Sequence, residues 1–177
     1  MNPGAGAPRV RRLHEPDAAA YHALRIRALR EHPDAFTSSF EEEQGRPLAW
    51  AEARLRDDAF RPHDFFLGAF ADGALAGIVG LQGRYRPKER HNATVVGMFV
   101  APELAGRGLG RALMDELLAR SRALADLSQL DLTVTEGNHA AQALYAGCGF
   151  TVFGRQPNAI RLDGREFAKL HMLLRLR

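Results

Sequence analysis

A glycine-rich turn between a strand pattern and a helix pattern has the residue types of an anion-binding site. Gly106, Gly108 and Gly110 alternate along it, and Arg107 and Arg111 lie beside them. The first turn of a helix leaves backbone N–H groups unpaired, and the helix dipole favours negative charge there. Glycines let a phosphate group approach the backbone closely. The turn therefore predicts phosphate binding, and a loop that only turns the chain is the alternative for these residues judged alone.

The spacing of these glycines excludes two common nucleotide-binding motifs. A P-loop needs a lysine followed by serine or threonine directly after its second glycine, and the chain has no such lysine. A dinucleotide-binding turn needs a third glycine three residues after the second. Counted from Gly106 that position is Arg111, and counted from Gly108 it is Leu113. The turn therefore follows neither pattern.

The elements that must position this turn form one mixed α and β unit. Apolar spacing, turn dipeptides and helix caps define their order. Asp72-Gly73 indicates a tight hairpin turn, and Asn138 indicates a helix cap. In chain order we predict a strand at 10–14, a helix from 16 to 32, a loop at 34–45, a short helix at 47–57, a hairpin of strands 64–71 and 74–83, a strand at 94–100, a helix at 108–125, a strand at 130–135, a helix from 138 to 145, and strands at 150–153 and 166–176.

Length and composition indicate one globular domain. The chain has 177 residues, of which 46% are hydrophobic and 25% are charged, as in ordinary globular proteins. We expect a flexible lead-in at 1–8, rich in Gly, Ala and Pro, and a single domain at 9–177. The only cysteine, Cys148, allows no intramolecular disulfide, which favours a reducing, cytoplasmic setting. The apolar stretch 65–83 carries five glycines, which favours two strands over a membrane span.

A second motif about thirty residues further along makes the pattern specific. The chain contains Val-x-Pro-Glu-x-x-Gly-x-Gly-x-Gly at 100–110 and Asn-x-x-Ala-x-x-Leu-Tyr-x-x-x-Gly-Phe at 138–150. Together they resemble the two signature motifs of the GNAT superfamily of acyl-CoA-dependent N-acetyltransferases. The element order is similar too, so the resemblance covers nearly all of the chain after the lead-in. It implies an α/β (α+β) fold of one domain, whose mixed central sheet is splayed between two parallel strands and flanked by helices on both faces.

The resemblance implies acetyl-CoA as the acyl donor and no metal. The strand at Met98, Phe99 and Val100 would pair with the pantetheine arm, and Gly97 would mark a bulge that parts two parallel strands. The following turn would bind the pyrophosphate through backbone N–H groups, so that Ala105, where the family usually has Gln or Arg, still contributes its amide. The implied cofactor-binding residues are Met98, Phe99, Val100, Ala105, Gly106, Arg107, Gly108, Leu109, Gly110, Arg111, Asn138, Ala141 and Tyr145.

The same resemblance implies an N-acetyltransferase, an acyltransferase in which an amine attacks the thioester directly in a ternary complex. Tyr145 is the expected general acid, since a phenol with a pKa of about 10 is protonated at neutral pH. Strand 94–100 has no carboxylate that could act as the general base. The expected base is therefore either His91, because histidine side chains commonly titrate near neutral pH, or ordered water. Ala105 and that missing carboxylate motivate the alternative, a non-catalytic acyl-CoA-binding or interaction module.

The acceptor and other partners are less defined by the sequence. We expect a primary amine on a small molecule or peptide. Glu41, Glu42 and Glu43 either attract a cationic amine or form a solvated face, and Glu166 is a further candidate lining residue. The chain has 22 Arg and 2 Lys, but the arginines are scattered and 21 acidic residues nearly balance the basic ones. We therefore expect no nucleic-acid or membrane partner, and a homodimer is left open.

Overall fold

A seven-stranded mixed sheet organises the computed structural model, which describes residues 8–177. Its strand order is β1-β2-β3-β4-β5-β7-β6, and β4 and β5 are parallel while the other neighbouring strands are antiparallel. This confirms the predicted mixed sheet. The strands are β1 (Arg9–Arg12), β2 (Phe65–Ala71), β3 (Ala74–Gly83), β4 (Asn92–Val100), β5 (Gln129–Thr135), β6 (Thr151–Leu162) and β7 (Arg165–Arg175). The helices are α1 (Ala18–Glu31), α2 (Phe40–Gln44), α3 (Leu48–Leu55), α4 (Leu109–Ala123) and α5 (His139–Gly147).

The two parallel strands β4 and β5 pair only at their beginnings. Asn92–Thr94 pairs with Gln129–Asp131, and no further pairs join the two strands. Gly97 has a φ of +64°, and the register between β3 and β4 shifts around it. A glycine with positive φ at a β-bulge bends the strand that contains it. β4 therefore turns away from β5, as the splayed sheet requires.

Helices cover both faces of the sheet and bury separate apolar clusters. On one face α1 and α3 pack against the strands, with Tyr21 and Leu55 almost completely buried. On the other face α4 and α5 contribute Leu113, Leu117 and Tyr145 to a larger cluster that includes β5. Burial of apolar side chains on both faces fixes the sheet between the helices. The predicted helices on both faces are confirmed.

Two predicted segments differ from the structure. The predicted loop 34–45 contains α2, which begins with a capping box between Ser39 and Glu42. The predicted short strand 150–153 is the beginning of β6, which continues to Leu162 and is joined to β7 by the turn Asp163-Gly164. β6 is an exposed edge strand whose pairing is interrupted between Gln156 and Ile160. It therefore lacks the apolar alternation that would have predicted its length.

Two further expectations concern the chain termini and the membrane. Of the predicted lead-in at 1–8, residues 1–7 lie outside the described residues. No helix within 8–177 is long and apolar enough to cross a membrane. The apolar stretch 65–83 forms strands β2 and β3, as predicted, and its Asp72-Gly73 turn has positive φ at both residues.

Candidate active site

A cavity of about 400 Å³ lies where β4 and β5 separate. Thr94–Met98 of β4 forms one wall, and Thr133–Thr135 of β5 forms another. α5 closes one side with Asn138, Ala141 and Tyr145. The remaining lining side chains come from elements far apart in the sequence: Tyr21, Arg25, Ala35, Phe36, Thr37, Ser38, Arg54, Gln82 and Lys169.

The glycine-rich turn exposes backbone N–H groups at the beginning of α4. Gly106 and Gly108 have φ of +76° and +78°, and a Cβ at either residue would meet no atom within 4 Å. The amides of Leu109, Gly110 and Arg111 donate to no backbone acceptor among residues 8–177. Unpaired amides in an open, positively polarised turn suit an anion. The arrangement therefore fits the phosphate group that the sequence predicts and the pyrophosphate that the resemblance implies.

The turn and the cavity are joined through Met98. A Cβ added at Gly110 would lie 3.3 Å from Met98 Cε and 3.4 Å from Leu144 Cδ2. Met98 also lines the cavity, so the first turn of α4 packs directly against the wall of the cavity. A ligand that binds both features extends along the end of β4.

The two arginines of the turn differ in their contacts. Arg111 Nε donates to Asp115 Oδ1 (2.8 Å), and its Nη1 donates to the carbonyl oxygen of Gly147 (3.3 Å). Arg107 is exposed, and it forms no ion pair within the described part of the chain. Arg107 is therefore the more available of the two for a phosphate.

α5 places one capping residue and one tyrosine at the cavity. Asn138 Oδ1 accepts a hydrogen bond from the Ala141 amide (3.1 Å), which confirms the predicted cap. Tyr145 is 7% exposed and packs edge-on against Phe150. Burial raises the pKa of the Tyr145 phenol, and the charge of an ionised Cys148 would raise it further. Tyr145 is thus fully protonated at neutral pH.

The structure does not bring His91 to the cavity. His91 is exposed immediately before β4, and its carbonyl oxygen accepts from the amides of Ser128 and Gln129. Three residues of strand, roughly 10 Å, separate it from Thr94, the first β4 residue that lines the cavity. A general base must lie within hydrogen-bond distance of the proton that it removes from the substrate, directly or through one water. The prediction of His91 as the base is therefore not retained.

The predicted acidic residues also lie outside the cavity lining. Glu42 caps α2, and Glu43 is buried in an ion pair with Arg25. Glu166 pairs with Arg161 on the β6–β7 hairpin. No carboxylate of the described residues lines the cavity. These positions give no support to the alternative in which the acidic run attracts a cationic amine.

Three basic side chains line the cavity instead, and sequence reasoning missed them. They are Arg25, Arg54 and Lys169. Arg25 follows Tyr21 by one helical turn on the apolar face of α1, a position that would have identified it as a buried charge. Lys169 carried no such signal, because β7 places it opposite the apolar alternation of Leu170 and Met172.

The buried Arg25–Glu43 pair is closed by two hydrogen bonds. Arg25 Nε and Nη2 donate to the two carboxylate oxygens of Glu43 at 3.0 and 2.9 Å. Burial alone would raise the pKa of Glu43, but the hydrogen bonds and charge of Arg25 outweigh it and lower the pKa. The pair is therefore ionised at neutral pH, and the charge of Arg25 is compensated.

The described residues contain no group of three or more His, Cys, Asp or Glu side chains arranged to hold a metal ion. The chemistry available at the cavity is that of backbone amides, the two protonated phenols of Tyr21 and Tyr145, hydroxyl and side-chain amide groups, and ammonium and guanidinium groups.

The chain belongs to the acetyltransferase (GNAT) family, whose model matches residues 15–150. This confirms the resemblance and the prediction of an acetyltransferase. The chain is 34% identical over 119 residues to the N-alpha-acetyltransferase RimI of Mycobacterium tuberculosis, covering 66% of this chain and 71% of that protein. It is also 34% identical over 146 residues to a mycothiol acetyltransferase of Salinispora arenicola, covering 80% of this chain but only 44% of that protein.

Solved structures share the whole fold. A GNAT-family acetyltransferase from Streptococcus pneumoniae superposes with a TM-score of 0.81 at 25% identity, over 95% of this chain and 98% of that one. The yncA protein of Salmonella typhimurium, a structure described as containing acetyl-CoA, superposes with a TM-score of 0.77 at 24% identity, over 96% of this chain and 94% of that one. The chain therefore shares its fold with solved structures of this family.

Proposed function

We propose that the protein transfers an acetyl group from acetyl-CoA to a primary amine. The observation that carries this proposal is the cavity between β4 and β5, whose wall residue Met98 lies against the first turn of α4, where backbone amides are unpaired. A cofactor with a pyrophosphate at one end and a reactive thioester at the other suits this arrangement. The acetyl-CoA of the yncA structure, a protein of the same fold, supports the choice of cofactor.

Backbone groups do most of the cofactor binding in this proposal. The end of β4 at Met98–Val100 offers groups that β5 no longer pairs, and these bind the pantetheine arm. Residues 105–111 bind the pyrophosphate through their amides, and Arg107 adds a charge. Asn138 and Ala141 contact the cofactor from α5, with Asn138 also capping that helix.

Tyr145 acts as the general acid. The amine nitrogen attacks the thioester carbonyl carbon, the carbon–sulfur bond breaks, and the phenol of Tyr145 protonates the departing thiolate. Burial keeps the phenol protonated at neutral pH. The phenolate left by the transfer recovers its proton from water, which has received one from the attacking amine. No histidine or carboxylate of the described chain lines the cavity, so water removes the proton from the amine. Cys148 does not line the cavity either, which favours direct attack over an acyl-cysteine intermediate.

The acceptor is a primary amine of a small molecule or peptide. The relatives named RimI and mycothiol acetyltransferase differ in their acceptors, so the family name alone does not select one. A cavity of about 400 Å³ is at the lower end of small-molecule sites. Because the thioester must share that space, the part of the acceptor that enters is small.

A screen of amines with acetyl-CoA, read by release of free thiol, tests the function. We expect amine-dependent thiol release above the rate without amine, and stabilisation by acetyl-CoA in a thermal-shift assay. Stabilisation by acetyl-CoA with no thiol release from any amine would instead support the acyl-CoA-binding module.

A further inference from the structure

Three cationic side chains line the cavity, and the nearest carboxylates, Glu43 and Asp34, lie behind its walls rather than in its lining. Among the described residues its lining includes Arg25, Arg54 and Lys169, and no Asp or Glu. A cationic lining repels an ammonium group and attracts an anion. An amine whose only charged group is its own nitrogen is therefore a poor match for this cavity.

Only one of the three cations forms an ion pair, although the charge of Glu43 also acts on Arg54. Arg25 has its counter-charge in Glu43, but neither Arg54 nor Lys169 forms an ion pair within residues 8–177. Arg54 Nε donates to the Tyr21 hydroxyl (3.1 Å), a neutral acceptor, and its guanidinium lies over the Trp50 ring. The cavity thus holds two positive charges without a paired carboxylate.

Lys169 is the more deeply buried of these two cations. It is 6% exposed, and its Nζ donates one hydrogen bond, to the carbonyl oxygen of Ala35 (2.8 Å). An ammonium group has three donors. Burial lowers the pKa of Lys169, and the charge of Asp34 offsets part of that effect without forming an ion pair. A buried ammonium with unused donors at a cavity wall is a built site for an anionic group.

We propose that the acceptor carries a carboxylate besides its amine, as an α-amino acid does, and that Lys169 binds this carboxylate. Arg54 adds positive potential in the same cavity. The inference rests on the proposed acetyl transfer and names its substrate class. The cationic lining also helps the acceptor amine to lose its proton without a protein base, because nearby cations lower the pKa of an ammonium group.

Paired acceptors provide the test. Free amino acids are compared with the corresponding amino acid amides, which keep the amine and side chain but lose the carboxylate charge. We expect kcat/KM to be about 10- to 100-fold higher for the free acids, since hydrogen bonds to charged groups are the stronger class. In Lys169→Met this preference falls to near unity, and Lys169→Arg restores part of it. Lys88→Met, a substitution of the only other lysine, at an exposed turn, keeps the full preference.

The ratio of kcat/KM for the free acids to kcat/KM for the amides distinguishes carboxylate binding by Lys169 from a purely structural role. Lys169 also holds the loop at Ala35, so its loss can lower turnover of every acceptor. An equal loss for acids and amides in Lys169→Met, with the preference preserved, would overturn the inference.

Equilibrium binding keeps the inference testable apart from catalysis. N-acetyl amino acids and their amides are titrated calorimetrically into the protein in the presence of CoA. We expect tighter binding of the acids in the wild type and equal binding in Lys169→Met. If no amine releases thiol, the proposed function fails, and this titration still decides the inference. Equal binding of acids and amides by the wild type would refute it.

Discussion

The substitution Gly108→Ala adds a single methyl group, and we expect it to weaken cofactor binding without preventing folding. Gly108 has a φ of +78°, a conformation that costs a residue with a Cβ about 1–2 kcal/mol. For a domain of this size that is a decrease in Tm of about 2–8 °C. The added Cβ would meet no protein atom within 4 Å, so no steric clash adds to this cost. Gly108→Ala should therefore fold.

The same methyl group lies where the pyrophosphate would approach the amides of the turn. Loss of a hydrogen bond to a charged group costs about 1.5–3 kcal/mol, which weakens acetyl-CoA binding by roughly 10- to 150-fold. Isothermal titration calorimetry with acetyl-CoA measures this change directly. We expect Gly108→Ala to raise the Kd by at least tenfold while the circular dichroism spectrum stays unchanged.

Gly164 provides the matched control. Its φ is +75°, and a Cβ there also meets nothing within 4 Å, but it lies in the β6–β7 turn. Gly164→Ala should lower the Tm by a similar amount and leave the Kd for acetyl-CoA unchanged. Equal Kd values for Gly108→Ala and the wild type would refute the assignment of this turn to the pyrophosphate.

Three other substitutions test separate parts of the site. Tyr145→Phe should lower kcat by about 10²- to 10⁴-fold with the Kd for acetyl-CoA unchanged, and an unaltered kcat would exclude a general acid at this position. Glu43→Ala leaves Arg25 buried without its counter-charge and should cost about 3–5 kcal/mol of unfolding free energy in urea. Because folding lowers the pKa of Glu43, the wild type should lose this stabilisation as the pH falls below about 4.3. The Glu43→Ala variant should lack that part of the pH dependence. Asn138→Ala removes the cap on Ala141 and should cost about 1 kcal/mol, and an unchanged Tm would contradict that role.

Features that depend on local sequence were predictable. The turn at Asp72-Gly73, the bulge at Gly97 and the cap at Asn138 all lie where their residue types require special backbone geometry or hydrogen bonds. The glycine-rich turn before α4 belongs to the same class. The turn at Asp163-Gly164 has the same dipeptide as Asp72-Gly73, and this signal could have predicted the full β6–β7 hairpin.

The charge of the cavity could not be predicted in the same way. Arg54 and Lys169 come from α3 and β7, and only the folded chain brings both to the cavity between β4 and β5. The acidic run at 41–43 suggested a negatively charged cavity. Its sequence does not show that Glu43 forms a buried ion pair with Arg25. Contacts between distant elements decide both points, and a local pattern contains no information about them.

Transfer of an isotopically labelled acetyl group tests the proposed chemistry most directly. The protein is incubated with labelled acetyl-CoA, with and without an amine that releases thiol, and the products are identified by mass spectrometry. We predict label on the amine nitrogen in an amount equal to the thiol released, and no label on the protein when the amine is omitted. Label on Cys148 before the amine is added, or label recovered only as free acetate, would contradict direct acetyl transfer.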